Sequence, residues 1–231
     1  MSRVIRVGGM VPLTTIDYPG QLACVLFCQG CAWRCRYCHN PQLIPPRGTE
    51  EVDWRRVIAF LQRRQDLLDA VVFSGGEPTL QDCLLGAMDE VRAMGFRIGL
   101  HSAGIKPAAF AKALEGADWV GFDVKALPED TQAITRVEGS GTANWRSLQY
   151  LLASDVDYEC RTTVHWHLFE PERLLVLAQR LSALGVKRFA IQLVRTERMF
   201  DPLLSSVSAQ ALLPDLWDAM RELFPVFVLR G

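Results

Sequence analysis

Six short apolar runs, each followed by residues at helical spacing, set the limits on what this chain can fold into. Residues 23–28, 70–73, 96–100, 119–125, 158–164 and 188–194 read as buried strands. Trp54, Val57, Ile58 and Leu61 place a helix after the first run, reaching to about residue 68. Leu84, Met88 and Val91 mark a second helix, with Asp82 as its N-cap and Gly95 as its stop. An alanine-rich helix spans residues 107–114, residues 128–142 read as loop and short helix, and another helix spans 145–152. Leu174, Leu177, Ala178 and Leu181 form a stripe ended by Gly185, and a last helix opened by Pro214 leads to an apolar tail at 226–229. Six alternations imply parallel strands joined by right-handed crossovers. A closed eight-unit barrel needs about 250 residues. With 231 residues and six units, the expected α/β fold is an open, partial βα barrel; a flat doubly wound sheet is the alternative. Residues 1–20 show no period and end in the turn signal Ile16-Asp17-Tyr18-Pro19-Gly20. No repeat or linker divides the chain, so residues 1–231 are expected to form a single domain.

The chain has seven cysteines, and Cys24, Cys28, Cys31, Cys35 and Cys38 crowd into one short segment. Clustered thiolates select zinc, Cu(I) or an iron–sulfur cluster. The compact set is Cys31-Ala-Trp-Arg-Cys35-Arg-Tyr-Cys38, followed by His39. A structural zinc site takes four ligands and an ordinary 4Fe–4S cluster four thiolates. Three thiols on a cubane would leave one iron open to a small molecule. The net charge of −1 gives no general footprint for nucleic acid or an anionic membrane. No apolar run is long enough for a membrane span or a signal segment. The expectation is a soluble cytoplasmic protein whose thiols bind metal rather than pair as disulfides.

Ligands of barrels and open α/β sheets bind beyond the carboxyl ends of the strands. The unusual residues all fall there: the thiol triad, then Ser74-Gly75-Gly76-Glu77, His101-Ser102-Ala103-Gly104, Asp123 with Lys125, His165, and Gln192 with Arg195. Gly75-Gly76 by itself is a turn; behind an apolar strand it is also backbone that a ligand can approach closely. Asp123 and Lys125 share a strand face, as a strand-end ion pair or as contacts to a polar ligand. Cys24 and Cys28 read as buried small hydrophobes, although Cys28 is spaced to be a fourth ligand. Cys83 and Cys160 read as core. Arg34 and Arg36 are either solvated or a dock for an acidic electron carrier. His165 and His167 read by default as packed, with one toward the rim. Cys35-x2-Cys38-His39 also has the form of a c-type haem attachment site, which would require export.

The Cys-x3-Cys-x2-Cys spacing, with Tyr37 before the last cysteine, resembles the signature of the radical S-adenosylmethionine (SAM) superfamily. Ser74-Gly75-Gly76-Glu77-Pro78 is similar to that superfamily's glycine-glycine-glutamate motif. Leu13-Thr14-Thr15-Ile16-Asp17-Tyr18-Pro19-Gly20, Cys35-Arg-Tyr-Cys38-His39-Asn40-Pro41 and Asp123-Val124-Lys125 resemble the activating proteins of glycyl radical enzymes, in particular the anaerobic ribonucleoside-triphosphate reductase group. The resemblance implies a partial βα barrel of the radical SAM type, a 4Fe–4S cluster on Cys31, Cys35 and Cys38, and SAM as second cofactor. It implies that Tyr37, Cys38 and His39 line the adenosine side and that Gly75, Gly76 and Glu77 hold the methionine amino group. Ser102, Asp123 and Lys125 would contact the rest of SAM, with Gln192 or Arg195 closing the pocket.

The implied reaction cleaves SAM reductively to a 5′-deoxyadenosyl radical that takes a hydrogen atom from a glycine of a partner reductase. Flavodoxin or ferredoxin would supply the electron. Many relatives carry Asp-Thr-Asn-Gly after the third strand, where the Asp helps to bind a monovalent cation; His101-Ser102-Ala103-Gly104 departs from it, as does Gly121 from a bulkier residue. The competing readings are a radical SAM enzyme acting on a small molecule (similar to a deazapurine synthase), a c-type electron carrier and a zinc-stapled binding module.

Overall fold

The computed structural model describes residues 4–194, 199–204 and 213–231. One sheet runs through it in chain order: β1 (Val7–Thr14), β2 (Ala23–Cys28), β3 (Ala70–Gly75), β4 (Arg97–Ser102), β5 (Trp119–Asp123), β6 (Asp157–Val164), β7 (Arg188–Leu193) and β8 (Val226–Arg230). From β2 to β8 every neighbouring pair is parallel, and β1 is antiparallel to β2. The crossovers carry α1 (Trp54–Gln62), α2 (Leu84–Arg92), α3 (Pro107–Leu114), α4 (Thr131–Thr135), α5 (Ser140–Leu152), α6 (Pro171–Ala183) and α7 (Pro214–Leu223).

Strand order that never reverses excludes the doubly wound alternative, which needs a switch point. Twist accumulating in one sense over eight strands curls the sheet. Its edges, β1 and β8, are not paired with each other among the described residues. The fold is therefore the expected open βα barrel, with a corrected count: seven parallel strands rather than six, plus an antiparallel edge. β1 escapes a reading by period because Gly8, Gly9 and Pro12 interrupt it, and an edge strand tolerates such residues. β8 is the apolar tail, made a strand by its pairing with β7.

Other boundaries also move. α1 ends at Gln62, well before residue 68, and Asp66 turns the chain at φ 63°. Cys83, not Asp82, holds the N-cap position of α2 and makes no side-chain capping bond. α5 starts at Ser140 rather than 145, after Gly139 at φ 71°. Gly141 lets its first turn pass the backbone of Pro128, where a Cβ would lie 2.7 Å from the Pro128 carbonyl carbon.

Strand alternation divides the side chains into two layers. Cys24, Leu26, Cys28, Val71, Phe73, Ile98, Leu100, Val120 and Phe122 pack with the helix stripes, including Leu61, Met88, Phe110, Leu148 and Leu177. Ala23, Val25, Ala70, Val72 and Trp119 face inward and pack with Tyr18. Tyr18 stacks on Trp119 with centroids 5.2 Å apart, so the loop after β1 plugs the amino-terminal mouth. Toward the carboxyl ends the inward positions become polar: Ser74, His101, Asp123 and Thr163. That change of character along one face places the site.

Candidate active site

A cavity of about 200 Å³ opens at the carboxyl ends of the strands. Its walls include Cys31, Cys35, Tyr37, Cys38 and His39 from the loop after β2, Gly75, Gly76 and Glu77 after β3, Ser102 after β4, and Asp123 with Lys125 after β5. Of the residues expected at the site, Gln192 sits partly exposed on β7 beside Thr163 and is not in this wall. Arg195 lies outside the described residues.

The cysteine loop is held by backbone bonds to two other segments. Arg34 N and Arg36 N donate to Thr135 O and Ile134 O, each at 3.0 Å, and Phe200 N donates to Cys38 O at 2.9 Å. Arg36, partly exposed, is paired: its Nε donates to Asp201 Oδ2 at 2.7 Å, an oxygen that also accepts from Arg136 at 3.0 Å. Arg34 donates within the loop, to Cys31 O and Trp33 O. Arg36 is thereby committed to Asp201, whereas Arg34 stays exposed with only one terminal nitrogen in these bonds. Among the described residues no three Cys, His, Asp or Glu side chains converge on one point, as a single metal ion would require. Burial pushes the thiols of Cys31 and Cys35 up to about 12 and about 11. A metal at these thiols must displace their protons, which makes loading pH-dependent.

Cys28 lies in the helix-facing layer, fully buried, with its thiol pushed above its ordinary range chiefly by burial. It behaves as a small hydrophobe, as do Cys24 and Cys160. His165 lies just beyond β6, fully buried; its Nε2 pairs with Leu204 O at 2.8 Å and its Nδ1 accepts from His167 N at 3.2 Å. It is a packed histidine and no part of the rim.

The glycines after β3 pass against the backbone after β2. Gly76 N donates to Cys28 O and Glu77 N to Gly30 O, each at 2.9 Å. A Cβ on Gly75 would lie 2.6 Å from the Phe27 carbonyl carbon, and one on Gly76 2.8 Å from that of Gly30. Gly75 also has φ 109°, which side chains rarely adopt. Glu77 then turns inward. Its Oε1 accepts from Thr79 N, Thr79 Oγ1 and Ser102 Oγ, and its Oε2 from Ala103 N at 3.0 Å. Burial raises its pKa although these donors oppose it. Glu77 thus braces the loops after β3 and β4, and the Ser102 hydroxyl is committed to it.

Asp123 and Lys125 form an ion pair of 3.0 Å. Burial would lift the Asp123 carboxyl, but Lys125 and Arg161 hold it down at about 2. Burial would likewise lower Lys125, and Asp123 reverses that to well above the usual lysine range. Lys125 Nζ also stands 5.7 Å from the centre of the Tyr37 ring, whose buried hydroxyl has no hydrogen-bond partner among the described residues.

Three residues at the site carried no motif. Arg161 Nε donates to Asp123 Oδ1 at 3.2 Å. Asn144, fully buried on α5, donates to Ala103 O and Asp123 O at 2.8 and 2.9 Å and accepts from Lys125 N at 3.1 Å. Ser147 donates to Gly104 O at 2.7 Å. Ser140, Asn144 and Ser147 make a polar stripe along α5, which was a legible signal because helix positions so spaced share a face.

Comparison with known proteins agrees with this geometry. The family model of the radical SAM superfamily matches residues 25–180. A protein of Methanocaldococcus jannaschii described as a glycyl-radical enzyme activating enzyme is 28% identical over 84% of this chain and 82% of its own length. The pyruvate formate-lyase-activating enzyme of Clostridium pasteurianum is 30% identical over 54% of each chain, so the match spans about half of that relative. Among solved structures, SuiB of Streptococcus suis bound to S-adenosylmethionine superposes with a TM-score of 0.64 at 14% identity, over 88% of this chain and 48% of SuiB. A domain of a pyruvate-formate lyase-activating enzyme from Bacteroides vulgatus superposes at 0.58, with 14% identity, over 71% of this chain and 99% of that one. Among the described residues no helix is long and apolar enough to cross a membrane. With a family model matching well over half its length and a curled parallel sheet that carries the three cysteines at its carboxyl rim, this chain belongs to the radical SAM superfamily, whose members use a 4Fe–4S cluster and S-adenosylmethionine.

Proposed function

We propose that this protein is an activating enzyme that installs a glycyl radical on a partner enzyme, and that the partner is an anaerobic ribonucleoside-triphosphate reductase. The observation that carries this reading is the single cavity joining the three cysteines, the Gly75-Gly76 backbone, Asp123 and Lys125. The donor set suits the cofactors: three thiols, a backbone cradle that any Cβ would fill, and an unpartnered Tyr37 hydroxyl. Cys31, Cys35 and Cys38 would hold the cluster. Gly75 and Gly76 would offer backbone to the methionine end of SAM. Glu77 would fix their loop and present Oε2, the oxygen with a single donor, toward the amino group. Lys125 and Asp123 would meet the carboxylate and ribose, and Tyr37 with His39 would line the adenosine. When bound, the reduced cluster and SAM supply the radical that removes hydrogen from a glycine α-carbon.

The chain's own residues orient the ligand and exclude water from it. The opening between β1 and β8 suits a peptide loop as target. Flavodoxin or ferredoxin is the proposed donor. A cytoplasmic location would keep the cavity thiols reduced, and residues 1–231 would act as one domain.

Anaerobic incubation of the reconstituted protein with SAM, reductant and a candidate reductase tests the reading. A persistent glycyl radical on the second chain supports it. SAM cleavage with no radical on any glycyl radical enzyme points instead to a small-molecule substrate.

A further inference from the structure

The polar end of the barrel interior holds a cation that the reading above leaves without a task. Arg161 lies on the inward face of β6, 7% exposed. It lies behind Asp123 and is not part of the cavity wall. Its Nε donates to Asp123 Oδ1 at 3.2 Å and one terminal nitrogen donates to Gly121 O at 3.0 Å. The other stands 3.3 Å from His101 Nε2.

Space for this guanidinium depends on Gly121. A Cβ there would lie 2.6 Å from the Arg161 Cζ. The departure at position 121 and the buried arginine are thus one feature.

His101 cannot act as the counter-charge. The Asp17 carbonyl 2.8 Å from Nε2 can only accept, so Nε2 carries the proton of the neutral ring, leaving Nδ1 to accept from Ser74 at 3.3 Å. Nor does Glu159 serve Arg161: its two oxygens are taken by Arg230 at 2.6 and 2.8 Å. Among the described residues the remaining acidic partner is Asp123, whose two oxygens divide between Arg161 at Oδ1 and Lys125 at Oδ2. Among the described residues, two cations against one carboxylate leave this side of the site one positive charge in excess.

We propose that Arg161 is a positioning residue that holds Asp123 from behind, so that the Lys125 ammonium can turn part of its charge to the carboxylate of S-adenosylmethionine. This rests on the assignment of SAM to the cavity. With Arg161 gone, Lys125 alone would neutralise Asp123, the excess charge would vanish, and an anionic group in the cavity would lose its attraction. Arg161 acts only through its neighbours.

The test uses the full chain, reconstituted anaerobically, and reads equilibrium binding of SAM together with iron content and thermal unfolding. In Arg161→Ala, SAM affinity is expected to fall roughly tenfold or more, the effect of losing one charge-assisted hydrogen bond, while iron content stays at the wild-type level. Millimolar guanidinium chloride should restore affinity in that variant by entering the space beside Gly121, and should do nothing for wild type. Arg161→Lys, which keeps the charge, should retain most of the affinity and covers the case in which the alanine variant does not fold.

Wild-type affinity in Arg161→Ala overturns the proposal. So does a loss that neither guanidinium nor the lysine variant repairs, because a merely structural arginine would behave that way. Failure of wild type itself to bind SAM would instead overturn the underlying assignment, and this proposal with it.

Discussion

Asn144 holds the carbonyl of Asp123 at 2.9 Å from inside α5, and the same carboxamide binds Ala103 O and Lys125 N. One side chain thereby fixes the loops after β4 and β5 against each other, with all three of these bonds buried or nearly so. Asn144→Ala leaves two acceptors and one donor without partners, at on the order of 1–3 kcal/mol for each. The expected outcome is a lower urea midpoint and weaker SAM binding together. A variant with unchanged stability would mean that water replaces the carboxamide.

The closeness of the β2 and β3 loops gives a contrast between glycines. Gly76→Ala drives a Cβ against the Gly30 and Leu43 backbone and should cost about 1–3 kcal/mol, as overpacking does, with lost SAM affinity. Gly86 lies within α2 and a Cβ there meets nothing within 4 Å. Gly86→Ala should therefore stabilise by roughly 0.5–1 kcal/mol. Thermal unfolding of the two variants checks both signs.

Much of the fold was legible because its central strands are apolar runs at regular intervals. β2, β6 and β7 begin and end within a residue of the expected places, whereas β3 and β4 run two residues further and β5 stops two residues short. β1 was not, since glycine and proline leave an edge strand no periodic signature, and neither was the pairing that makes the 226–229 tail a strand. At the site, cysteines, glycines and the Asp123–Lys125 pair were legible from residue type and spacing. Arg161 was not, because an isolated arginine in a strand shows its role only when the barrel closes round it; Asn144 is legible only through its polar spacing with Ser140 and Ser147 along α5, which marks a face but not a partner. The commitment of Ser102 to Glu77 likewise needed coordinates.

His101 gives the structure a pH dependence. Burial, with the positive charge of Arg161 beside it, holds the ring down at about 3, against an ordinary value near 6.5. The unfolded chain then takes up a proton that the folded chain refuses. Stability is fully present above about pH 6.5 and is lost as pH falls toward 3. The cluster-free protein should show a urea midpoint that declines across this window, with a shallower decline in His101→Gln. Some slope should persist, because burial also lowers His165. Identical slopes in the two proteins would contradict the assignment.

Asp201 ties the segment after β7 to the cysteine loop through Arg36 and to the end of α4 through Arg136. Asp201→Ala removes the partner of both guanidiniums while the backbone bonds from Phe200 and Asp201 remain. The loop should loosen without unfolding, and the reconstituted cluster should lose iron to a chelator faster than in wild type. Asp201→Asn should fall between the two. Equal rates would show that the backbone bonds alone fix the loop.

The central claim is that three cysteines, with no fourth from Cys28, hold a cluster able to cleave S-adenosylmethionine. It is tested most directly by measuring 5′-deoxyadenosine after anaerobic reconstitution with iron and sulfide, reduction, and addition of SAM. The wild-type protein should form 5′-deoxyadenosine and methionine in equal amounts, and Cys35→Ala should form none. A fully iron-loaded wild type that forms none, or a Cys35→Ala protein as active as wild type, would contradict it.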